Sequence, residues 1–253
     1  MKISIITPSL NQGKFIEKTI QSVLNQEGDF ELEYIVIDGG SKDNTIDIVK
    51  KYQKNLMWFS EKDRGQADAI NKGFSMASGD IFAWLNSDDT YEENALNEVA
   101  RAFRKHEFNW CFGDCRNISE DDREIRRFIT RYKLFESSRY SYKRLLSKDF
   151  ISQPAVFFTR EVYEKVGPLD IRCKYSMDYD YWLRIGSKYN PYYINKFLAN
   201  FRWQAESKNS TNYKRAAYET YLTAKKHATT QYKYAIFRHY LHYKTLNIVY
   251  RFL

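Results

Sequence analysis

The first 105 residues alternate between short apolar runs and longer amphipathic stretches. The apolar runs predict four buried strands, over 2–8, 32–37, 57–60 and 79–85. In the stretches between and after these runs, apolar side chains recur every three or four residues, which is the spacing of residues on one face of a helix. This spacing predicts helices over about 14–26, 46–52, 66–77 and 92–105. Strand–helix alternation with short connections predicts an α/β fold, a Rossmann-like, mostly parallel central sheet flanked by helices.

The second half of the chain is less regular. Strands are predicted over 109–115, 124–130, 155–159, 192–194 and 198–202, and a helix opens at Met177. Residues 131–150 are basic and aromatic without a clear period, so no element is predicted there. Two helices, over about 211–228 and 231–250, close the chain. We therefore predict a sheet-based domain over 1–208 and a C-terminal helical extension over 209–253.

Polar residues stand at the carboxyl ends of the four predicted parallel strands. They are the segments Thr7–Ser9, Asp38–Gly40, Glu61–Asp63 and Asn86–Asp89. Because ligands of parallel α/β sheets gather at this edge, we expect the four segments to form one binding site.

The segment Asn86–Asp89 places two adjacent carboxylates, Asp88 and Asp89, directly after a buried strand. Such a pair needs an opposite charge nearby, and hard divalent cations such as Mg²⁺ and Mn²⁺ prefer oxygen ligands. The segment therefore indicates a metal site. An ordinary turn is the alternative, because Asn, Ser and Asp all favour turns.

Charge is distributed unevenly along the 253 residues. From residue 207 to the end there are nine Lys or Arg and one acid, Glu219, whereas residues 1–206 carry 31 charges of each sign. The net charge of +8 therefore belongs to the C-terminal extension. This distribution argues against a general nucleic-acid-binding surface and favours a basic, aromatic appendage.

The cellular compartment of the protein is indicated only by features that the sequence lacks. No apolar window of about 18 residues occurs, and no secretory signal opens the chain. The three cysteines do not have metal-binding or disulfide spacing. We therefore expect a cytoplasmic protein.

Five segments in order resemble the family-2 inverting glycosyltransferases of the GT-A fold. The segments are Thr7–Asn11, Ile37–Thr45, Asp63–Gly73, Asn86–Asp89 and Met177–Arg184. The resemblance covers about residues 1–208. It implies an enzyme that binds a nucleotide-diphosphate-sugar, most commonly a UDP-sugar, and transfers the sugar with Mn²⁺ or Mg²⁺.

The resemblance also assigns roles to individual residues. It implies that donor-binding residues are Thr7, Pro8, Asn11, Asp38, Gly39, Asp63, Asp68, Asn71, Asn86 and Asp88. Asp88 and Asp89 match the family's Asp-x-Asp-type metal site, in which one carboxylate touches the ribose side and one holds the cation on the diphosphate. Asp178 matches the catalytic base.

This chemistry is physically coherent. A cation can stabilise the negative charge that develops on the departing diphosphate. A single carboxylate on the opposite side can take the proton of the attacking hydroxyl, and one such displacement inverts the anomeric centre. The alternative for Asp178 is structural, because an acid in the first turn of a helix stabilises that helix.

The sequence departs from the family pattern at two positions. Asn86 stands where many members have another Asp. Gln204 follows Arg202 and Trp203 where similar enzymes often have a His that helps to hold the cation or diphosphate. Gln can donate to phosphate but is a poorer metal ligand, so Arg202 or Lys208 could supply positive charge to the donor instead.

The acceptor is expected to be a glycan or a polyprenyl-linked molecule of cell-surface polysaccharide synthesis, because enzymes of this type often act on such molecules. Residues 131–153 and the C-terminal extension are predicted to build its site. The basic, aromatic extension suits the surface of an anionic bilayer at the inner face of the cell membrane. Packing on its own domain, or on a second copy in a homo-oligomer, is the alternative.

Two other functions compete with transfer. A nucleotidyltransferase with a similar sheet usually has a Gly-rich, basic phosphate loop after its first strand, and residues 7–14 are a poor version of one. A non-catalytic carbohydrate-assembly protein built on a decayed transferase is the third hypothesis. The presence of Asp88, Asp89 and Asp178 argues against it.

Overall fold

The computed structural model describes residues 1–204 and 212–249. The strands are β1 Lys2–Ser9, β2 Glu31–Asp38, β3 Met57–Ser60, β4 Ile81–Trp84, β5 Thr90–Tyr91, β6 Trp110–Ile118, β7 Glu124–Ile125, β8 Val156–Thr159 and β9 Tyr192–Arg202. The helices are α1 Ile16–Leu24, α2 Thr45–Lys51, α3 Gln66–Met76, α4 Ala95–Lys105, α5 Arg127–Ser137, α6 Tyr142–Ser147, α7 Arg160–Val166, α8 Met177–Gly186, α9 Tyr213–His227 and α10 Lys233–Val249. The predicted α/β class is confirmed.

The strands form one sheet in the order β3-β2-β1-β4-β8-β6-β9-β5, with β7 paired to β6. The first four strands are parallel to one another, as their short helical crossovers require. Beyond β4 the direction changes, because β8 is antiparallel to both β4 and β6. β6 and β9 are parallel, and β5 is antiparallel to β9. The predicted central sheet is thus confirmed: its first half is parallel, and its second half combines parallel and antiparallel pairs, so that the whole sheet is mixed.

Apolar side chains fill a core on each face of the sheet. Helices α1, α2 and α4 bury their apolar faces on one side, and α3, α6 and α8 cover the other. The second core is rich in aromatic rings. Trp84 of β4 stacks on Trp182 of α8 with ring centroids 5.2 Å apart. This contact fixes α8 against the strand that leads into Asn86–Asp89.

Two predictions of local structure were wrong in residues 124–150. The predicted strand over 124–130 ends at Ile125, and α5 begins at Arg127. Residues 131–150, for which no element was predicted, contain the rest of α5 and the short helix α6. The helical period of α5 is obscured because Phe128, Tyr132 and Phe135 are exposed, so its apolar residues do not mark the buried face.

The C-terminal extension packs on the sheet domain. Ala224 of α9 and Ala235 of α10 are buried in the aromatic core. Glu219 accepts hydrogen bonds from the backbone N–H groups of Tyr175 and Ser176, at 2.7 and 3.0 Å. The extension is therefore joined to the segment that leads into α8. The predicted boundary between residues 208 and 209 lies outside the described residues.

None of the helices in the described parts of the chain is both long and apolar enough to cross a membrane.

Candidate active site

The loops after β1 and β2 are bound to each other by hydrogen bonds. Asn11 adopts a left-handed backbone conformation, with φ of 52°. Its backbone N–H donates to the hydroxyl of Ser41 at 2.7 Å, and its side-chain oxygen accepts from the N–H of Lys42 at 2.9 Å. Asp43 accepts from the N–H of Gly13 at 2.9 Å. The first two strand ends therefore form one rigid rim.

Asp38, at the end of β2, stabilises this rim through the hydrogen bonds of its side chain. Its side chain is buried and accepts hydrogen bonds from the backbone N–H groups of Gly40 and Ser41, at 2.9 and 2.8 Å, and from the hydroxyl of Ser60 at 2.7 Å. Its carboxylate thus shapes the loop that the nucleotide was predicted to meet.

Gly39 lies in close approach to the loop after β3. A Cβ atom at this position would lie 2.6 Å from the carboxylate of Asp63, so a larger residue would displace the Asp63 side chain. Thr7 and Pro8 are buried at the end of β1, where the Thr7 hydroxyl contacts the hydroxyl of Tyr34 at 3.0 Å. Thr7, Pro8, Gly39 and Asp63 therefore lie at the carboxyl ends of β1, β2 and β3, and the Thr7 hydroxyl faces the core.

Two residues of α3 that were predicted to bind the nucleotide-sugar form hydrogen bonds within the protein instead. Asp68 is buried and pairs with Arg64 at 2.7 Å, and this bond helps to keep the pKa of Asp68 below its usual range. The Asn71 amide exchanges two hydrogen bonds with the backbone of Leu169, at 2.9 and 2.8 Å. Asn71 thereby anchors the loop between α7 and α8.

The loop Asn86–Asp89 at the end of β4 holds its two carboxylates differently. Asp89 is fully buried, and its oxygens accept from the backbone N–H of Arg202 at 2.9 Å and from the Asn86 amide at 3.1 Å. Asp88 is only half-buried, and it accepts from the Gln204 amide at 2.6 Å. Asp88 is therefore the carboxylate of the pair that reaches the site, and Asp89 holds the loop.

Both carboxyls have raised pKa values. Burial raises the pKa of Asp88, and the hydrogen bond from Gln204 acts against it. Burial and the neighbouring charge of Asp88 raise the pKa of Asp89 well above its usual range. A bound cation would offset this repulsion, because an opposite charge favours the ionised form.

Arg202 was predicted to contact the donor, but its guanidinium is buried. It donates to the backbone carbonyls of Asp88 at 2.8 Å and Ser119 at 2.8 Å, and it pairs with Asp122 at 2.6 Å. Because these contacts enclose the guanidinium, Arg202 supports the backbone of the loop Asn86–Asp89 and does not reach a phosphate. Lys208 lies outside the described residues.

Gln153 belongs to the site and was not singled out from the sequence. It is buried before β8, where its amide donates to the backbone carbonyl of Trp84 at 2.6 Å. Its side-chain oxygen accepts from Asn86 at 3.0 Å, and the same Asn86 amide reaches Asp89. The only sequence signal was its place just before Pro154 and a buried strand.

Asp178 lies in the first turn of α8, as predicted, and is half-buried. One of its oxygens accepts from the backbone N–H of Tyr179 at 2.9 Å, and burial raises the pKa of its carboxyl. Asp149, which the sequence did not single out, has a carboxyl whose pKa is raised by desolvation and by the charge of Asp178. Asp180, by contrast, is fully buried and pairs with Arg184, Lys226 and His227.

The end of β4 offers the Asp88 carboxylate, an oxygen ligand of the kind that hard divalent cations prefer. Within residues 1–204 and 212–249, no three side chains of His, Cys, Asp or Glu gather into a group able to hold a metal ion. At phosphate sites Mg²⁺ is commonly held by one or two carboxylates and completes its shell with phosphate oxygens and water, and Asp88 is the residue that could supply such a carboxylate.

Comparison with known sequences identifies the family. The profile described as "Glycosyl transferase family 2" matches residues 4–167. A PGL/p-HBAD biosynthesis glycosyltransferase of Mycobacterium bovis is 31% identical over 203 residues, which cover 77% of this chain and 73% of the relative. The putative teichuronic acid biosynthesis glycosyltransferase TuaG of Bacillus subtilis is 28% identical, covering 85% and 84%. This chain therefore belongs to glycosyl transferase family 2 and is an enzyme of that class.

Solved structures agree on the fold. The mannosyltransferase PcManGT of Pyrobaculum calidifontis, solved with GDP-Man and Mn²⁺, aligns with a TM-score of 0.69 at 17% identity, covering 93% of this chain and 68% of that one. TarS residues 1–349 of S. aureus, solved with UDP-GlcNAc, aligns with a TM-score of 0.66 at 16% identity, covering 88% and 65%. The predicted GT-A fold is confirmed.

Proposed function

We propose that this chain is an inverting glycosyltransferase that moves a sugar from a UDP-sugar to a hydroxyl of a glycan or polyprenyl-linked acceptor in cell-surface polysaccharide synthesis. The observation that carries the proposal is the packing of the helix that bears Asp178 against the strand that leads to Asp88. Asp88 follows β4, and Asp178 opens α8, which stacks on the same strand through Trp84 and Trp182. A donor held by the first carboxylate and an acceptor beside the second would meet between them.

The donor would lie along the rim formed by the loops after β1, β2 and β3. Asn11, Gly39 and Asp63 line this rim, while Asp38 and Thr7 support it from below. UDP is favoured because a structural neighbour, TarS, was solved with UDP and with UDP-GlcNAc. A second neighbour was solved with GDP-Man, so a guanine nucleotide belongs in the same test.

The reaction would be a single displacement. The acceptor oxygen attacks the anomeric carbon, the bond from that carbon to the diphosphate breaks, and Asp178 takes the proton of the hydroxyl. A half-buried carboxylate with a raised pKa suits this role, because a general base works best when its pKa lies near the working pH. Inversion follows because the base and the leaving group lie on opposite sides of the anomeric carbon.

A divalent cation, Mn²⁺ or Mg²⁺, would be held by Asp88 and would stabilise the charge that develops on the leaving diphosphate. Gln204 orients Asp88 towards the site through its amide. Asp89, the second predicted metal ligand, would hold the loop that carries Asp88, since both of its oxygens accept hydrogen bonds from the protein.

The C-terminal extension would add a docking surface. Tyr234, Phe237 and Leu241 are exposed on one side of α10, next to several Lys and Arg residues. An exposed apolar row with basic neighbours suits an anionic bilayer, which would bring a lipid-linked acceptor to the enzyme.

The function is tested by a thermal-shift and hydrolysis screen of nucleotide-sugars with and without Mn²⁺. We expect a UDP-sugar to stabilise the protein more strongly with Mn²⁺ and to be hydrolysed slowly to UDP. Stabilisation by nucleoside triphosphates with release of pyrophosphate would favour a nucleotidyltransferase. Binding of glycans without binding of any nucleotide would favour a non-catalytic assembly protein.

A further inference from the structure

Helix α5 buries polar side chains against the sheet domain. The residues that it buries are Thr130, Glu136 and Ser137. The hydroxyl of Thr130 accepts a hydrogen bond from the Asn117 amide of β6 at 3.1 Å. The carboxylate of Glu136 pairs with Arg144 at 2.6 Å. The buried side of this helix is therefore held by polar contacts.

The aromatic side chains of α5 face solvent in one row. Phe128, Tyr132 and Phe135 have the i, i+4, i+7 spacing of one helix face, and they are 73%, 41% and 49% exposed. Large apolar side chains that lie together in water mark a surface for a partner, since folding normally buries them. This row is therefore a candidate interaction surface.

The charges around this row are mostly of one sign. Residues 126–148 contain eight Lys or Arg and one acid, Glu136, which is buried. Arg131 and Arg139 are exposed, and the guanidinium of Arg139 lies 3.8 Å from the centroid of the Phe135 ring. Aromatic rings and positive charges thus share one surface. We call the following group the α5 surface: Phe128, Arg131, Tyr132, Phe135 and Arg139.

The α5 surface adjoins the proposed metal site at one end. Arg126, directly before α5, places its guanidinium 4.1 Å from the centroid of the Trp203 ring. The residue after Trp203 is Gln204, whose amide donates to Asp88. The first turn of α5 is therefore linked through two neighbouring residues to the carboxylate proposed to hold the cation.

Helix α6 connects the α5 surface with the exposed row of α10. Lys148, directly after α6, places its ammonium group 5.2 Å from the centroid of the Tyr132 ring. Lys143 of α6 lies 5.9 Å from the centroid of the Tyr234 ring, and Tyr234 belongs to the exposed row of α10. Helix α6 also packs against α10. The two exposed aromatic rows therefore lie on elements that are joined by α6.

We propose that the α5 surface is a docking site for an anionic lipid bilayer. Its aromatic rings enter the boundary between headgroups and acyl chains, and Arg131 and Arg139 bind lipid phosphates. A soluble polyanion would contact the arginines and leave the phenylalanines in water, so the aromatic row favours the bilayer. The consequence for catalysis rests on the proposed function: a lipid-linked acceptor in the same bilayer reaches the end of α5 that is linked to Asp88.

The test is co-sedimentation of the full-length protein with vesicles of phosphatidylglycerol and phosphatidylcholine, and with vesicles of phosphatidylcholine alone. We expect the wild type to bind the anionic vesicles more tightly. Phe128→Ser combined with Phe135→Ser should weaken this binding about tenfold or more, because two rings no longer leave water. Arg131→Gln combined with Arg139→Gln should weaken it about thirtyfold, because each arginine near an anionic surface strengthens binding about fivefold.

Met57→Ser combined with Phe59→Ser is the matched control. Met57 and Phe59 are 44% and 43% exposed, and they lie on the edge strand β3. This variant should bind the vesicles as the wild type does. A decrease equal to that of the phenylalanine variant would overturn the assignment to α5.

A fluorescent label locates the contact directly. Cys111 and Cys115 are buried, so Cys173→Ser leaves an introduced cysteine as the accessible thiol. A nitrobenzoxadiazole label on Phe128→Cys should shift its emission to shorter wavelength with anionic vesicles, because the label leaves water. The same label on Met57→Cys should not shift. No shift at Phe128→Cys overturns the docking site, even if the serine variants do not fold.

The remaining outcomes separate the possible partners. Wild-type binding of the phenylalanine variant overturns the bilayer as the partner of α5, and loss in the arginine variant alone would then indicate a soluble polyanion. A wild type that binds no vesicles but forms a dimer, which the phenylalanine variant breaks, indicates a second copy and also overturns the proposal. A protein that docks through α5 but neither binds nor hydrolyses any nucleotide-sugar overturns the proposed function and leaves the docking site standing.

Discussion

The side-chain amide of Gln204 donates a hydrogen bond of 2.6 Å to the carboxylate of Asp88. The contact joins the end of β9 to the end of β4, two segments separated by more than a hundred residues. It occurs at the position where similar enzymes often have a metal-binding His. In this chain an amide donor therefore orients the carboxylate proposed to hold the cation.

Replacement of Gln204 should reveal this role in the affinity for metal. We expect Gln204→Ala to weaken Mn²⁺ binding about tenfold, because a hydrogen bond to a charged group contributes about 1.5 kcal/mol. We expect Gln204→His to strengthen binding, since imidazole is a better ligand than an amide for transition metals. Mn²⁺ titration by calorimetry in the presence of UDP measures both. Equal affinities in all three proteins would contradict a role for Gln204 at the metal.

Asp178→Asn should separate binding from chemistry. The amide keeps the shape of the carboxylate but cannot take the acceptor proton, so we expect turnover to fall about 10²-fold or more. The Kd for the UDP-sugar, measured by calorimetry, should change little. Asp180→Asn is not a suitable control, because Asp180 pairs with Lys226 and His227 of α9. Near-normal turnover in Asp178→Asn would remove Asp178 from the role of base.

Glu33 should make stability depend on pH in the acid range. Burial would raise its pKa, but hydrogen bonds from Ser4 and Ser78 outweigh burial and lower the pKa to about 2. Because the folded-state pKa lies below the ordinary value of 4.5, Glu33 stabilises the fold fully above pH 4.5. This contribution is lost as the pH falls towards 2.

We therefore expect the free energy of unfolding of Glu33→Gln to fall less steeply than that of the wild type between pH 4.5 and pH 2. Urea titrations at several pH values measure this slope. Glu31→Gln is the control, because Glu31 pairs with the same Lys2 but is exposed. Identical slopes in the wild type and Glu33→Gln would contradict the prediction.

Asp180 should be required for docking of the C-terminal helices. Its buried carboxylate accepts from His227 at 2.7 Å and pairs with Lys226 at 3.1 Å and Arg184 at 2.9 Å. We expect Asp180→Ala to destabilise the fold by about 2 kcal/mol, less than a fully buried pair would lose, because its partners are partly exposed. The melting temperature measures this loss, and limited proteolysis should show earlier cleavage in α9 and α10. An unchanged proteolysis pattern would argue against a docking role.

The membrane proposal needs point variants, because α10 also packs into the core through Ala235 and His239. Deleting the helix would expose apolar surface and confuse the result. We expect Phe237→Ser combined with Leu241→Ser to reduce co-sedimentation with anionic vesicles several-fold, because the apolar contact is lost. Donor hydrolysis should be unchanged. Wild-type protein that does not bind these vesicles would contradict the proposal, and a concentration-dependent dimer broken by the same changes would favour self-association.

The sequence was sufficient for the first half of the fold. Short apolar runs separated by amphipathic stretches identified β1 to β4 and the helices between them, because local periodicity follows burial on one face. It also identified Asp88, Asp89 and Asp178 as candidates, since each lies in a recognisable local motif. The exposed aromatic residues of α5 show where the spacing of apolar residues fails to predict a helix. This spacing indicates the buried face of a helix only when that face is the apolar one.

The tertiary structure decided which side chains face the site and which support it. Arg202 and Asp89 resemble ligands in sequence, but their partners come from strands and loops far along the chain, and these contacts enclose them. Gln153 has no local motif, because its place in the site comes from its contacts with Trp84 and Asn86, which are distant along the chain. The sequence by itself determined the elements and the chemistry available at their ends. Only long-range packing decided the exposure, partners and charge environment of each group, because these depend on residues that are distant along the chain.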